Sequence, residues 1–333
     1  MFKRWSWLKK GVLCCMMLIL VLAVYGWQVT QQTLLLQQQQ VLIPAGSSSV
    51  SIGQRLAQQQ VISSAQHFRW LTRLTAKATS LKPGLYIFEG ELSMWDVLNI
   101  ISKGEVQQFK VTIPEGLRCT EMIQLLAKRT QTEVKQWQEA LLEFGDIQDI
   151  EGLFLPETYQ YTQPISAKRV LQQMHRARAQ VEADLAAELG WSEVQIRANR
   201  IMASIIEKET ALPHERVWVS AAIHNRLRLG MPLQMDPTVI YGIYRTQGSF
   251  SGNLRRQDLR SDSPWNTYTR SGLPLSPIAN PGAASLRAAA YPADVDYLYF
   301  VADGTGGHAF AATLAQHNAN VRQWIQIERN KAN

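Results

Sequence analysis

A helical pattern of apolar positions runs through residues 201–206 and continues to residue 210. At about 100° per residue, one face of this segment is apolar and the other polar. Upstream, Ser192-Glu-Val-Gln195 has the spacing of a capping box, which predicts where the helix begins. Pro213 predicts that it ends shortly before that position. The apolar face consists of Ile201, Met202, Ile205 and Ile206.

Two carboxylates follow on the same predicted helix, and the periodicity separates them. Glu209 falls on the apolar face, whereas Glu207 falls nearly opposite, where a solvated carboxylate is expected. Burial raises the pKa of a carboxyl group and keeps it protonated near neutral pH, as a general acid requires. A buried carboxylate paired with an arginine fits the spacing equally well, so both interpretations stay open here. The nearby candidates for such a pair are Arg216, Arg226 and Arg228.

Beyond Pro213 the pattern predicts another helix, with the proline near its first turn and Gly230 just past its end. Asp236, followed by a proline, fits a helix N-cap and could also be a second catalytic acid. Residues 266–282 form a long polar, proline-rich loop of the kind that often carries function. Strands at 297–301 and 308–310 predict a hairpin, and a last helix covers 312–328.

The first half of the chain alternates short strands and helices. A strand at 41–43, helices at 51–60 and 65–76, and a strand at 83–88 precede a helix that begins after Ser93. The order strand, helix, helix, strand resembles a LysM carbohydrate-binding module, and a small α+β spacer domain is the alternative. Further elements are a strand at 109–113 and helical stretches at 120–128, up to residue 144, and at 167–189.

Residues 11–27 are uncharged and nearly long enough to cross a membrane. Aromatic residues flank this run, and four cations precede it, which predicts a cytoplasmic N-terminus. A cleaved signal peptide is the alternative, but Val24-Tyr25-Gly26 is a weak match to a cleavage site. We therefore predict an uncleaved anchor with the rest of the chain outside the cytoplasm. The four cations are Lys3, Arg4, Lys9 and Lys10.

Composition excludes several classes of protein. The net charge of +7 includes those four N-terminal cations, so the remainder is too weakly basic to indicate nucleic-acid binding. Cys119 is the only cysteine of the part expected to be exported, which excludes an internal disulfide there. The six histidines are scattered, and the glycines at 303–307 precede no helix. We therefore expect neither a metal nor another cofactor.

Residues 201–320 contain five long motifs. They are Ala203-Ser-Ile-Ile-Glu-Lys-Glu-Thr210, Asn225-Arg-Leu227, Leu233-Gln-Met-Asp-Pro-Thr-Val-Ile-Tyr-Gly242, Asn266-Thr-Tyr-Thr-Arg-Ser-Gly-Leu-Pro274 and Leu298-Tyr-Phe-Val-Ala-Asp-Gly304. These motifs resemble the endolytic murein transglycosylase family (MltG or YceG-like). The anchor, the LysM-like region and the Pro114-Glu-Gly116 turn occur in the same order as in that family.

The resemblance implies cleavage of the β-1,4 bond between N-acetylmuramic acid and N-acetylglucosamine inside nascent peptidoglycan strands. The products would carry 1,6-anhydro ends, and elongation of the strand would stop. The family's catalytic glutamate falls on Glu209, with Glu207 as the fallback because a two-residue shift in helix register would exchange their faces. Peptidoglycan synthases (penicillin-binding proteins) are the implied protein partners. Plausible substrate-binding residues are Gln234, Asp236, Thr238, Tyr241, Asn266 and Tyr268.

Two other functions are compatible with the sequence. One is a hydrolase with Glu209 as the acid and Asp236 as the base. The other is a glycan-binding membrane anchor without catalysis.

The predicted fold class is α+β, with an N-terminal transmembrane helix, a small LysM-like module and a larger catalytic domain. The expected location is the inner (plasma) membrane, with the catalytic domain on its outer, periplasmic side. The predicted segments are a cytoplasmic tail (1–10), an anchor (11–30), a glutamine-rich spacer (31–40), the LysM-like module (41–107) and the catalytic domain (108–333).

Overall fold

The computed structural model describes residues 2–146, 150–250 and 252–332 and confirms a mixed α+β fold. The helices are α1 Phe2–Gln31, α2 Ser49–Gln58, α3 Ala65–Leu74, α4 Met94–Lys103, α5 Cys119–Thr130, α6 Val134–Leu141, α7 Ala167–Leu189, α8 Glu193–Glu209, α9 Arg216–Arg228, α10 Asp236–Gln247, α11 Ala283–Ala290 and α12 Leu314–Ala332. The strands are β1 Thr33–Ile43, β2 Gly84–Ser93, β3 Gln108–Thr112, β4 Thr158–Thr162, β5 Tyr299–Ala302 and β6 His308–Ala311. They form three two-stranded sheets, which pair β1 with β2, β3 with β4, and β5 with β6.

The chain divides into two compact units. The first comprises Met1–Phe109 and Gln160–Ile165, and the second comprises Lys110–Tyr159 and Ser166–Asn333. Within the first unit, Leu13–Gln31 of α1 is apolar and long enough to cross a membrane, judged by length and composition.

The predicted spacer at 31–40 is wrong, because most of it belongs to β1. β1 pairs with β2 in antiparallel register from Thr33↔Ser93 to Ile43↔Gly84, with a register shift between Leu36 and Gln39. An antiparallel strand needs only one apolar face, and here Leu36, Val41 and Ile43 supply it. The glutamine-rich composition therefore gave a misleading signal, because the segment from Thr33 onward belongs to a strand that pairs with β2.

Helices α2, α3 and α4 pack with this sheet around the core of the first unit. Ser93 and Asp96 form the predicted capping box of α4, and Gly104 ends that helix in a left-handed conformation with φ 77°. The order β1-α2-α3-β2 is the predicted one, whereas the likeness to a LysM module stays a prediction. The largest buried side chains here are Tyr86, Phe68 and Phe88.

The core of the second unit surrounds α8. This helix begins with the predicted capping box between Ser192 and Gln195 and ends at Glu209. The prediction that Pro213 lies near the first turn of the next helix is wrong, because α9 begins at Arg216, after a separate turn. The chain therefore leaves α8 through a short connection that holds the residues just after Glu209 in place.

A buried carboxyl group, Glu151, joins distant parts of the second unit. It accepts hydrogen bonds from the backbone N–H of Cys119 at 2.8 Å and from the Tyr241 hydroxyl at 3.2 Å. Burial raises the pKa of Glu151 to about 7, and these hydrogen bonds offset only part of that effect. The hydroxyl of Tyr241 therefore makes its hydrogen bond in the interior of the second unit.

Glu151→Gln is expected to flatten the dependence of stability on pH. The pKa of Glu151 is raised on folding, so its contribution is fully present below the ordinary glutamate pKa and is lost as the pH rises towards 7. Glutamine has no charge to bury, so the melting temperature of the variant relative to wild type should increase between pH 5 and pH 8. Glu139→Gln, at an exposed position, is the control. Parallel melting curves for both variants would contradict the expectation.

Candidate active site

A cleft with a volume of about 270 Å³ lies at the C-terminal end of α8. Its walls come from the last residue of α8, from α9, from the segment that enters α10, from the 266–282 loop and from the β5-β6 hairpin. The lining residues are Glu209, Arg226, Leu233, Gln234, Met235, Asp236, Tyr268, Phe300, Val301, Ala302 and His308.

Glu209 is half-buried and faces this cleft. Burial raises the pKa of its carboxyl group to about 8, the negative charge of Asp236 adds to the increase, and Arg226 opposes it. Among the described residues, none forms an ion pair or a hydrogen bond with this carboxyl group. Glu209 is thus a carboxyl group that holds its proton at neutral pH and has its oxygens available to a bound molecule.

The three arginines considered as partners of Glu209 have other contacts. Arg226 donates to the backbone carbonyls of Leu298 and Leu233, both at 2.6 Å. Arg216 lies 3.0 Å from a carboxylate oxygen of Glu115 and 3.6 Å from one of Glu207, and Arg228 donates to Asn225. A buried carboxylate paired with an arginine therefore describes Glu207 and not Glu209.

The prediction that Glu207 lies on a solvated face is wrong. Its side chain is 5% exposed, and one of its oxygens accepts a hydrogen bond from the backbone N–H of Gly282 at 2.9 Å. The cause is the 266–282 loop, which folds back on α8 and also donates from the Ile278 N–H to the Ser204 hydroxyl at 3.0 Å. Helical periodicity cannot reveal a loop that covers the polar face of a helix.

Three of the predicted substrate-binding residues lie in the cleft with Glu209. The Tyr268 hydroxyl donates to the Asp236 carboxylate at 2.6 Å, and this fixes the orientation of both side chains. Burial, followed by the neighbouring Asp236, raises the pKa of Tyr268, so its hydroxyl stays a donor. Gln234 is exposed and has a left-handed backbone with φ 50°. Met235 occupies the N-cap position of α10, so Asp236 does not cap the helix as expected.

The other three predicted residues are buried and do not line the cleft. The Thr238 hydroxyl donates to the carbonyl of Met235 at 2.6 Å, and the Asn266 amide donates to the carbonyl of Ser261 at 2.8 Å. Tyr241 donates to Glu151, as described above. These side chains hold together the segments that form the walls of the cleft.

The sequence did not single out Glu215, which fastens the β5-β6 hairpin to the end of α8. Its buried carboxylate accepts hydrogen bonds from the Thr210 hydroxyl at 2.7 Å, from the His308 N–H at 2.7 Å and from His308 Nδ1 at 2.8 Å. Burial alone would raise the pKa of Glu215, but the hydrogen bonds from His308 and Thr210 outweigh it and hold the pKa below its ordinary value. Thr210 directly follows Glu209, so one carboxylate connects the acid to the opposite wall of the cleft.

Comparisons with known proteins identify the family of this chain. The sequence model of the YceG-like family matches residues 41–323. The chain belongs to the YceG-like family. This YceG-like match covers most of the chain, and it confirms the resemblance found in the sequence motifs.

The YceG-like relatives include two proteins named endolytic murein transglycosylase. The one from Bacillus subtilis is 29% identical over 312 residues, which are 87% of this chain and 85% of the relative. The one from Streptococcus pneumoniae serotype 2 is 25% identical over 327 residues, which are 86% of this chain but only 58% of the relative. A crystal structure of a yceG-like protein from Listeria monocytogenes superimposes with a TM-score of 0.55 at 28% identity, covering 85% of this chain and 99% of the other.

Proposed function

We propose that this YceG-like protein is a membrane-anchored endolytic murein transglycosylase, a lyase that cuts glycan strands of peptidoglycan internally. The observation that carries the proposal is Glu209, whose carboxyl group has a pKa raised to about 8, lies in a polar cleft and has no partner among the described residues. The names of the relatives supply the substrate class.

One carboxyl group is sufficient for the reaction. Protonated Glu209 donates its proton to the glycosidic oxygen as an oxocarbenium-like state develops on the N-acetylmuramic acid ring. The resulting carboxylate then takes the proton from the C6 hydroxyl of that sugar. The C6 oxygen attacks C1 and closes the 1,6-anhydro ring. No water is consumed, so the bond is cleaved by elimination of the neighbouring sugar and Glu209 ends in its protonated form.

The rest of the cleft assists by charge and position. Burial keeps the proton on Glu209, and the charge of Asp236 adds to this effect. Asp236 also places negative charge near the developing positive charge of the sugar. Tyr268 holds the Asp236 carboxylate through its 2.6 Å hydrogen bond. Gln234, exposed at the rim, can hydrogen-bond to sugar hydroxyl or acetamido groups. The remaining three residues have an indirect role, because they hold together the segments that form the walls of the cleft. They are Thr238, Tyr241 and Asn266.

The finer assignments belong to the same proposal. The Leu13–Gln31 segment crosses the membrane once, with the N-terminus in the cytoplasm and the cleft on the outer side. An enzyme tethered there meets strands as synthases release them, so penicillin-binding proteins are the partners, and the cut ends elongation. The first unit, as a LysM-like module, contributes glycan binding.

The decisive experiment incubates the full chain with uncrosslinked glycan strands in water enriched in heavy oxygen. A lyase gives internal fragments with anhydro ends and no label, because no water enters the product. A hydrolase that uses Asp236 as its base would give labelled reducing ends one water heavier. No cleavage by a folded, membrane-reconstituted chain would favour the non-catalytic anchor.

A further inference from the structure

The first unit has an apolar groove of about 620 Å³ between the end of α1 and α3. Helix α1 lines it with Trp27 and Thr30, and α3 lines it with Trp70, Leu71 and Leu74. Both helices belong to the same compact unit and are in contact. The groove is therefore a feature of one folded body.

The side chains at its edge are apolar and strongly exposed. Trp70 is 61% exposed and Leu74 is 83% exposed, and their spacing of four residues puts them on one face of α3. Phe68, on another face, belongs to the core of the unit, and Leu71 lies between the two faces and contributes to both the core and the groove. Helix α3 thus has an apolar face towards the core and a second one that no described residue covers.

The position of the groove along α1 indicates what covers this second face. Tyr25 and Trp27 lie near the C-terminal end of the Leu13–Gln31 segment and are exposed. Aromatic residues at the end of a membrane-spanning helix lie at the level of the lipid headgroups. A groove lined by Trp27 opens at that same level, where lipid is the adjacent medium.

Charges on α3 fit the same occupant. Arg69 and Arg73 are exposed, and each precedes one of the two exposed apolar residues, which places a row of cations about 100° from the apolar row. A helix with an apolar row beside a basic row is typical of segments that lie in the interface of anionic membranes.

We propose that α3 lies in the membrane interface beside α1, with a phospholipid acyl chain in the groove and the lipid phosphates against Arg69 and Arg73. The proposal rests on α1 crossing the membrane and is independent of the chemistry at Glu209. The first unit is then attached at two places, so it cannot rotate freely about the end of α1.

The test uses the full chain in vesicles of phosphatidylcholine and phosphatidylglycerol, with a nitroxide at Leu74→Cys. Cys14 and Cys15 are replaced by alanine, and Cys119 stays because it is buried. Matched labels are placed at Val21→Cys in α1 and at Gln54→Cys, an exposed position on α2. Collisions of the nitroxide with dissolved oxygen indicate that the label lies in lipid. Collisions with a water-soluble nickel chelate indicate that it lies in water.

We expect the labels at 21 and 74 to be oxygen-accessible and the label at 54 to be nickel-accessible. Combining Arg69→Gln with Arg73→Gln should move the label at 74 towards water, whereas Arg55→Gln on α2 should not. A label at 74 that behaves like the one at 54 would overturn the proposal. Spin–spin broadening at 74 would also overturn it, because a second copy of the chain would then cover the face. A solvated label at 21 would show that α1 does not cross the membrane, and the proposal would then be wrong.

Discussion

Glu209→Gln is expected to lower kcat by about 10³-fold, within the range that a general acid–base group contributes. Glutamine keeps the size of the side chain but has no proton to give to the glycosidic oxygen and cannot take one from the C6 hydroxyl. Because no described residue bonds to the Glu209 carboxyl group, the substitution breaks no contact of the fold. Turnover is measured on uncrosslinked strands by mass spectrometry.

The stability of the Glu209→Gln variant should not fall with its activity. The pKa of Glu209 is raised on folding to about 8, so the stability of wild type decreases as the pH rises from the ordinary glutamate pKa through 8. The glutamine variant does not have this loss, and its melting temperature at pH 8 should equal or exceed that of wild type. The same raised pKa predicts that kcat/KM of wild type falls above about pH 8, as the free enzyme loses the proton.

Glu207→Gln is the matched control, two residues away on the same helix. Its carboxylate pairs with Arg216 and accepts the N–H of Gly282, so removing the charge should lower the melting temperature. The expected cost is about 1–3 kcal/mol, with kcat reduced much less than by the change at Glu209. A folded Glu207→Gln variant without activity, beside an active Glu209→Gln variant, would move the acid to Glu207.

The contrast between these two glutamates shows how far the sequence could predict the site. Periodicity and the capping box at Ser192 predicted helix α8 correctly, because both depend on residues within one helix. The burial of Glu207 depends on Gly282, which is 75 residues away. The part of strand β1 before residue 41 was missed for a related reason, since its pairing with β2 is a long-range contact.

The hairpin could be predicted from the sequence, since glycines between two apolar segments predict a turn, and β5 pairs with β6 as expected. No local feature of the sequence predicts that this hairpin forms a wall of the cleft. The hydrogen bonds from His308 to Glu215 span 93 residues, and each residue alone reads as an ordinary polar side chain. Periodicity and motifs therefore do not predict the parts of a site that are held together by individual long-range hydrogen bonds.

Glu215→Gln is expected to lower kcat by about 10–100-fold with a smaller change in KM, although Glu215 does not line the cleft. Misplacing reacting groups by about 1 Å costs on the order of 10²-fold in rate. A neutral glutamine accepts more weakly and offers an N–H where His308 Nδ1 now donates, so the hairpin should shift relative to Glu209. The pKa of Glu215 is lowered on folding, so the stability it contributes is present above the ordinary glutamate pKa and lost at acid pH. The difference in melting temperature from wild type should accordingly shrink as the pH falls below the ordinary glutamate pKa.

A positioning role, as opposed to simple stabilisation, is tested with His308→Ala and the double variant. If Glu215 acts on the reaction through His308, the double variant should be only slightly less active than the less active of the two single variants. The reason is that the two changes remove the same contact. Asp303→Asn is the control within the hairpin, since Asp303 accepts the N–H groups of Thr305 and Gly307 and holds only the turn. Additive losses in kcat, or an equal loss in the Asp303 variant, would show that Glu215 contributes to stability alone. Glu209 would then depend on α8 for its position and not on the hairpin.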